Sequence, residues 1–354
     1  MTPPRRRREL DESDVRVRPN PRGSRPRTKE RPRHEDSEPG WVVAVDRGRY
    51  SVLLGGPGDP GAPVTAMKAR ELGRAGVIVG DRVALVGDVT GDAGSLARIV
   101  RVEDRTTLLR RSADDTDPVE RPIVANADQL AVVTALADPE PRPRLIDRAL
   151  VAAYDAGLDP LLVLTKADLR EPAGFLASYA LLEVPYVVTR VAPDGSIEGL
   201  DAVRARLHDR VTVLLGHSGV GKSTLVNALV PGTARAIGAV NDVTGRGRHT
   251  STSAVAVALP DGGWVVDTPG VRSFGLAHVD PDRIVAAFPD LAPGRVDCPR
   301  GCTHDEPDCA LDEYVASGAA GPAGPARLES LRRLLRSRAG GDDPDQKSEG
   351  SRPA

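Results

Sequence analysis

The sequence GHSGVGKST, at residues 216 to 224, decides how the rest of this 354-residue chain is interpreted. It matches the pattern GxxxxGK[ST] and lies between the apolar run VTVLL and the helical run STLVNAL. Such a turn lets backbone N–H groups surround a phosphate at a helix N-terminus, whereas a chance glycine-rich turn would lack these flanks. The pattern predicts a phosphate-binding loop made of Gly216, His217, Ser218, Gly219, Val220, Gly221, Lys222, Ser223 and Thr224.

A second motif, DTPG, follows about forty residues later, after the apolar run WVV. We expect Lys222 to neutralise the β- and γ-phosphates and Ser223 to bind Mg²⁺ through its hydroxyl. Asp267 would hold the same ion through water, and the N–H of Gly270 would contact the γ-phosphate. DTPG alone fits any β-turn, but its distance from the phosphate loop indicates a γ-phosphate sensor.

The segment GRGRHTST, at residues 245 to 252, has the polar, hydroxyl-rich composition of a switch loop. Thr250 is the first candidate to complete the magnesium shell, with Thr252 as the alternative. Val271 follows DTPG, where Ras-like enzymes have a water-orienting glutamine, and a valine cannot orient water. His249 is the best internal candidate for that role; the alternative is that it only contacts RNA or solvent.

A third motif, TKAD, ends the apolar run LLVL and predicts the base contacts Thr165, Lys166, Ala167 and Asp168. An aspartate there can accept from guanine N1–H and its amino group, and would be left unpaired by adenine. This disfavours an ATP-using kinase or transport ATPase. The motif precedes the phosphate loop, whereas ordinary small GTPases place it after DxxG, so we predict a circularly permuted GTPase domain.

Three cysteines and one histidine form the pattern CxxxCxHxxxxC: Cys298, Cys302, His304 and Cys309. Together they are a complete tetrahedral zinc set, with no position left for a substrate water. An odd number of clustered cysteines does not suit a secreted disulfide framework. We therefore predict one structural Zn²⁺, against the alternative of reduced surface cysteines beside an unrelated histidine.

Composition and periodicity predict an α/β protein of five parts. Residues 1 to 39 are a disordered basic arm, either solubilising or bound to RNA phosphates. Short alternating strands at 40 to 108 predict an all-β OB-fold barrel, whose RNA-phosphate candidates are Arg47, Arg49, Lys68, Arg70 and Arg74. After a linker, strands alternate with helices at 120 to 275, the GTPase domain. A helical zinc-binding domain at 276 to 338 and a disordered tail at 339 to 354 follow.

The formal net charge is -2, so no global field draws the chain to nucleic acid. Neither a signal peptide nor an apolar run long enough for a membrane span is present in the sequence. We expect a cytoplasmic, monomeric protein without membrane contact.

Over roughly residues 41 to 338, the chain resembles the circularly permuted GTPases called RsgA. The resemblance lies in the order of its parts: barrel, TKAD, GxSGVGKS, HT, DTPG and CxHxxxxC. The resemblance implies an OB domain, a permuted GTPase and a zinc domain that act on the small ribosomal subunit and its rRNA in late maturation. It also implies that the subunit stimulates turnover of GTP to GDP and phosphate. The chain departs from the family at His217 (commonly Gln), at Thr165 (commonly Asn) and in zinc spacings one residue shorter.

One alternative of a different class remains: a zinc-containing RNA-binding protein for which GTP is a regulatory ligand that is hardly hydrolysed. Multiple-turnover assays with and without small subunits discriminate the two.

Overall fold

A computed structural model describes residues 34 to 61, 63 to 73, 76 to 112, 120 to 231, 254 to 268, 276 and 278 to 338. Its first strands form a small barrel: β1 Glu38–Asp46, β2 Arg49–Gly56, β3 Asp59–Pro60, β4 Val64–Lys68, β5 Arg82–Gly87 and β6 Ala97–Val102. β1 pairs with β2 and β5, β2 with β4, β4 with β6 in parallel, and β6 with β5. Five strands therefore close on themselves, as predicted for an OB-fold.

Alternation of side chains explains why these strands form a barrel. Val42, Val52, Leu85 and Ile99 are all fully buried and share one core cluster inside it. A strand points successive side chains to opposite faces, so alternate residues fill the interior while residues such as Arg98 face outward. A small aliphatic interior results, consistent with the scarcity of aromatic residues.

A hairpin that the sequence did not predict follows the barrel. Its strands are β7 Leu108–Arg111 and β8 Arg121–Ala125, paired antiparallel. The sequence did not reveal these two strands because both runs are short, and arginines interrupt their apolar pattern. Leu109 and Val124 are nevertheless fully buried, so the hairpin belongs to the core.

The nucleotide motifs lie on a second set of strands. These are β9 Gln129–Ala135, β10 Asp159–Thr165, β11 Tyr186–Val188, a minor hairpin of β12 Arg190–Val191 and β13 Ile197–Glu198, β14 Val211–Leu215, β15 Val255–Ala258 and β16 Trp264–Asp267. The sheet order is β11-β10-β9-β14-β16-β15, parallel except for β15. The predicted α/β sheet is confirmed, with an antiparallel strand at the side facing the barrel.

Helices cover both faces of this sheet. They are α1 Pro143–Ala156, α2 Ala173–Ala177, α3 Leu200–Leu207, α4 Lys222–Leu229, α5 Pro281–Ala286, α6 Ala310–Ala316 and α7 Gly324–Arg338. In β9, Leu130 and Val132 face one core cluster while Ala131 and Val133 face the other. Near-continuous apolar strands are expected where both faces of a parallel sheet are covered.

The barrel and the sheet are joined directly. Ala44 of β1 pairs with Val255 of β15, which makes the two sheets continuous. Trp41 and Trp264 meet edge to face with ring centroids 4.7 Å apart. The Trp264 indole N–H also donates to the carbonyl of Pro57 at 2.8 Å. The described residues from Asp36 onward accordingly form one compact unit.

The carboxyl-terminal helix α7 packs on α1 through its apolar face. Leu328, Leu331, Leu334 and Leu335 are buried, as their helical spacing predicts. Arginines of the same helix also contact the protein: Arg327 is only 8% exposed. In the described part of the chain, we find no helix with the length and apolar character that crossing a bilayer demands.

Candidate nucleotide site and zinc site

The phosphate loop begins where β14 ends and leads into α4, which starts at Lys222. Gly219 and Gly221 have φ of 86° and 89°, a region that side chains other than glycine rarely adopt. At Gly216, a Cβ would lie 2.6 Å from the Val133 carbonyl oxygen, so any larger residue would collide with β9. Glycine at these positions therefore follows from the backbone path and from close packing.

Lys222 and the DTPG strand meet at the end of the sheet. The Lys222 Nζ lies 2.6 Å from Asp267 Oδ1 and 3.4 Å from the Thr268 carbonyl oxygen. Thr268 donates through its hydroxyl to the Leu214 carbonyl at 2.9 Å, which ties the end of β16 to β14. An ammonium and a carboxylate, the two groups expected on phosphate and on Mg²⁺, are thus side by side.

The TKAD loop lies on the other side of the phosphate loop. Thr165 is buried, and its hydroxyl donates to the Val220 carbonyl at 2.6 Å. Asp168 accepts the Val191 N–H through Oδ1 at 3.0 Å. Lys166 has a positive φ of 59° and donates from Nζ to the Asp138 carbonyl. The base motif and the phosphate motif, separated by some fifty residues, are therefore in direct contact.

A third segment, residues 138 to 140, borders the site, and sequence reasoning missed it. The carbonyl of Asp138 accepts from Lys166 Nζ. Glu140 forms an ion pair with Arg170 through two hydrogen bonds of 2.6 Å. Pro139 lies 3.5 Å from where a Cβ of Gly219 would be. The available signal was its position after β9, since carboxyl ends of parallel strands share one edge.

His217, the departure from the common glutamine, turns its Nδ1 to the Ser218 carbonyl at 2.9 Å. Burial lowers its pKa, so the imidazole is held in its neutral form near pH 7. Ser223 and Thr224 are exposed in the first turn of α4. Ala167, within the TKAD loop, is buried. His249, Thr250, Thr252, Gly270, Val271 and the barrel candidate Arg74 lie outside the described residues.

The four predicted zinc ligands converge, with their donor atoms all within 4.8 Å of one another. Cys298 Sγ lies 3.5 Å from His304 Nδ1 and 3.8 Å from Cys309 Sγ. Tetrahedral zinc with ordinary bond lengths spaces two sulfurs by about 3.8 Å and sulfur from nitrogen by about 3.5 Å. The donor set therefore fits Zn²⁺, and so do the spacings of Cys298 from His304 and from Cys309.

Surrounding groups orient this cluster. The other imidazole nitrogen of His304, Nε2, lies 2.9 Å from Asp282 Oδ1 on α5. Arg332 of α7 donates to the His304 carbonyl at 3.2 Å. Burial raises the pKa of Cys302 to about 12, so its thiol ionises at neutral pH only when a cation is bound. The cluster is thus bracketed by two helices.

Comparison with known proteins agrees with this geometry. The family model for the RsgA GTPase matches residues 102 to 277. A Small ribosomal subunit biogenesis GTPase RsgA of Gemmatimonas aurantiaca is 37% identical over 298 residues, which are 83% of this chain and 92% of that relative. The Ectopseudomonas mendocina protein of the same name is 39% identical over 267 residues, 74% of this chain and 75% of its own.

Two solved structures share the fold. YjeQ from Thermotoga maritima is 26% identical with a TM-score of 0.58, covering 84% of this chain and 99% of its own. YloQ, a circularly permuted GTPase, is 22% identical with the same TM-score, covering 87% of this chain and 98% of its own. At this identity it supports the fold alone. With the base motif, the phosphate loop and DTPG in this permuted order, and with this extent of identity, the chain belongs to the RsgA family of GTPases.

Proposed function

We propose that this GTPase binds the small ribosomal subunit and hydrolyses GTP to GDP and phosphate during late 30S maturation. The observation that carries the enzymatic part is the contact between Lys222 and Asp267 beside a phosphate loop that also touches TKAD. The name of the relatives, which assigns them to small-subunit biogenesis, supports the partner. Family membership disfavours the alternative of a mere GTP-regulated RNA-binding protein.

Each nucleotide motif has its own proposed role in binding GTP. The loop from Gly216 to Thr224 would surround the phosphates with N–H groups, and Lys222 would leave Asp267 to neutralise the β- and γ-phosphates. Asp168 would read the guanine edge, with Lys166 and Ala167 shaping its loop. Gly270 would contact the γ-phosphate.

Two metals are proposed. Ser223, Thr250 and, through water, Asp267 would hold Mg²⁺, which supplies charge neutralisation at the phosphates. Cys298, Cys302, His304 and Cys309 would hold one structural Zn²⁺, which fixes a segment too short for its own large core.

The barrel would supply the rRNA contact. A groove of about 460 Å³ is lined by Lys68, Arg70 and Arg98 together with Met67 and Leu96. Met67 and Leu96 are 44% and 42% exposed, so apolar surface accompanies the cations. Phosphate pairing and base contact by apolar side chains suit single-stranded or irregular RNA. The partner implies action in the cytoplasm, and we propose that the chain works as a monomer, without membrane contact.

Multiple-turnover phosphate release tests the proposal. We expect slow hydrolysis of GTP by the protein alone and strong stimulation by purified small subunits but not by large subunits. Lys222→Ala should abolish both rates while leaving about one zinc per chain, because separate segments build the two sites. Equal rates with and without small subunits would remove the proposed partner.

His249 is proposed to orient the attacking water, since Val271 cannot. His249→Ala should bind GTP almost normally but lose most of the stimulation by small subunits. Normal stimulated turnover in this variant would assign the activating group to rRNA or to another residue.

A further inference from the structure

The hydroxyl of Thr165 is committed to the phosphate loop. Thr165 ends β10 and is 6% exposed. Its Oγ1 lies 2.6 Å from the Val220 carbonyl oxygen and 3.3 Å from that of Thr134, both acceptors. A threonine hydroxyl has one proton, which goes to the nearer acceptor. Thr165 therefore has no donor left for the base.

This hydrogen bond fixes the direction of the next N–H group. A trans peptide is planar, so its C=O and N–H point in opposite directions. With the Val220 carbonyl turned toward Thr165, the N–H of Gly221 points away from β10. Gly221 has φ of 89° and immediately precedes Lys222 at the start of α4.

Without such an anchor, this peptide could turn. Glycine accepts backbone conformations on both sides of φ zero, so Gly221 itself does not select one orientation. The Thr165 side chain borders this position, since a Cβ added to Gly221 would lie 3.7 to 3.9 Å from its Oγ1, Cβ and Cγ2. The hydrogen bond from the Thr165 hydroxyl to the Val220 carbonyl selects one orientation.

We propose that Thr165 is a positioning residue for the phosphate loop, which aims the Gly221 N–H at the β-phosphate of a guanine nucleotide. The inference rests on the proposed function. In this division of labour Asp168 recognises the base, and Thr165 at the other end of the same motif acts on the phosphates through Val220. The customary asparagine has additional donor capacity that Thr165 lacks.

The test separates base from phosphate by comparing GDP with GMP, which lacks the β-phosphate. Affinities are measured by competition against a fluorescent GDP analogue, up to millimolar GMP. Thr165→Val should weaken GDP and GTP about 10-fold and GMP less than about 2-fold, because a buried carbonyl loses its donor. Thr165→Ser, which keeps the hydroxyl, should restore GDP affinity to within about 2-fold.

Thr189→Val is the matched control, since it removes another buried threonine hydroxyl, bonded at 3.3 Å to the Leu164 carbonyl, from a neighbouring segment. It should bind GDP as the wild type does. Thr165→Ala, which also lacks the donor, must show the same split between GDP and GMP if the valine variant does not fold.

Equal losses for GMP and GDP, or no loss for either, would overturn the inference. A wild-type protein that bound adenine and guanine nucleotides alike would instead refute the proposed function, independently of any Thr165 variant.

Discussion

Asp168 uses one carboxylate oxygen to accept the Val191 N–H at 3.0 Å. We predict that Asp168→Asn weakens GTP binding and admits xanthine nucleotides. The introduced amide can keep the acceptor toward Val191 while its NH₂ donates to the oxygen that xanthine carries. Competition between GDP and XDP for the fluorescent analogue measures the change. An unaltered preference for guanine would show that another residue reads the base.

Asp282 touches the zinc cluster only through His304, whose Nε2 lies 2.9 Å from its Oδ1. Carboxylates in this position orient a ligating imidazole and raise its basicity, so Asp282→Asn should weaken zinc binding by about 10- to 100-fold. Competition with a zinc-binding dye measures it. Asp308→Asn, at an exposed position next to Cys309, is the control and should bind zinc normally. Equal affinities in both variants would contradict an orienting role.

Single residues were predictable where a motif fixes chemistry and spacing together. The convergence of three cysteines with His304, and the meeting of Lys222 with Asp267, could be expected from sequence because few residue types suit a metal or a phosphate. The contribution of Asp138 was not, because it accepts from Lys166 through a backbone carbonyl, which every residue possesses. The role of Asp282 was equally hidden, since its distance along the chain from His304 carries no spacing rule.

At the scale of elements, helix α7 is held by its arginines as well as by its leucines. Arg327 donates to the Leu181 carbonyl and pairs with Asp290 and Glu183. Arg333 donates to the Ser178 carbonyl and lies 3.0 Å from Asp147 of α1. The helix therefore reaches across to the GTPase helices while its leucines fill the same core.

Asp147 makes the packing of α7 on α1 sensitive to pH. Burial raises its pKa to about 6 despite the neighbouring Arg333. Between pH 5 and 7.5 the folded protein binds more protons here than the unfolded chain, whose carboxyl titrates near 4, so stability falls as pH rises. Relative to Asp147→Asn, the wild type should lose about 1.4 kcal/mol of unfolding free energy across this range.

Urea unfolding at the two pH values provides the measurement. Asp201→Asn removes an exposed carboxylate from α3 that lies 3.0 Å from Arg204, and should reproduce the wild-type pH dependence. If Asp147→Asn also followed the wild-type curve, the carboxyl would titrate alike in the folded and unfolded states.

Elements were predictable in proportion to their apolar periodicity. The core strands β9, β10 and β14 and the leucine stripe of α7 follow clear patterns. The β7–β8 hairpin escaped prediction, because its pairing depends on burial of Leu109 and Val124 against residues far away in sequence. The antiparallel direction of β15 could have been predicted, because only the five residues LPDGG separate it from β16 and a parallel pair needs a much longer crossover.

For the whole molecule, one core cluster runs from the barrel residues Trp41 and Leu53 through the sheet to Leu335 of α7. We therefore predict that barrel and sheet unfold together. The chain has two tryptophans, Trp41 and Trp264, and both lie at the junction, so fluorescence excited selectively at tryptophan reports on it. Fluorescence and far-ultraviolet circular dichroism should give coincident urea transitions. An earlier fluorescence transition would mean that the junction opens first.

The bond from Trp264 to Pro57 joins residues 207 positions apart. A ribosome adding about 5 to 20 residues per second needs about 10 to 40 seconds to cover that stretch. During synthesis the strands of the barrel, all before Glu103, can pair with one another, but β1 cannot yet pair with β15. The nascent chain thus carries an open strand edge at Ala44, a place where chaperones or other nascent chains can attach until translation passes Trp264.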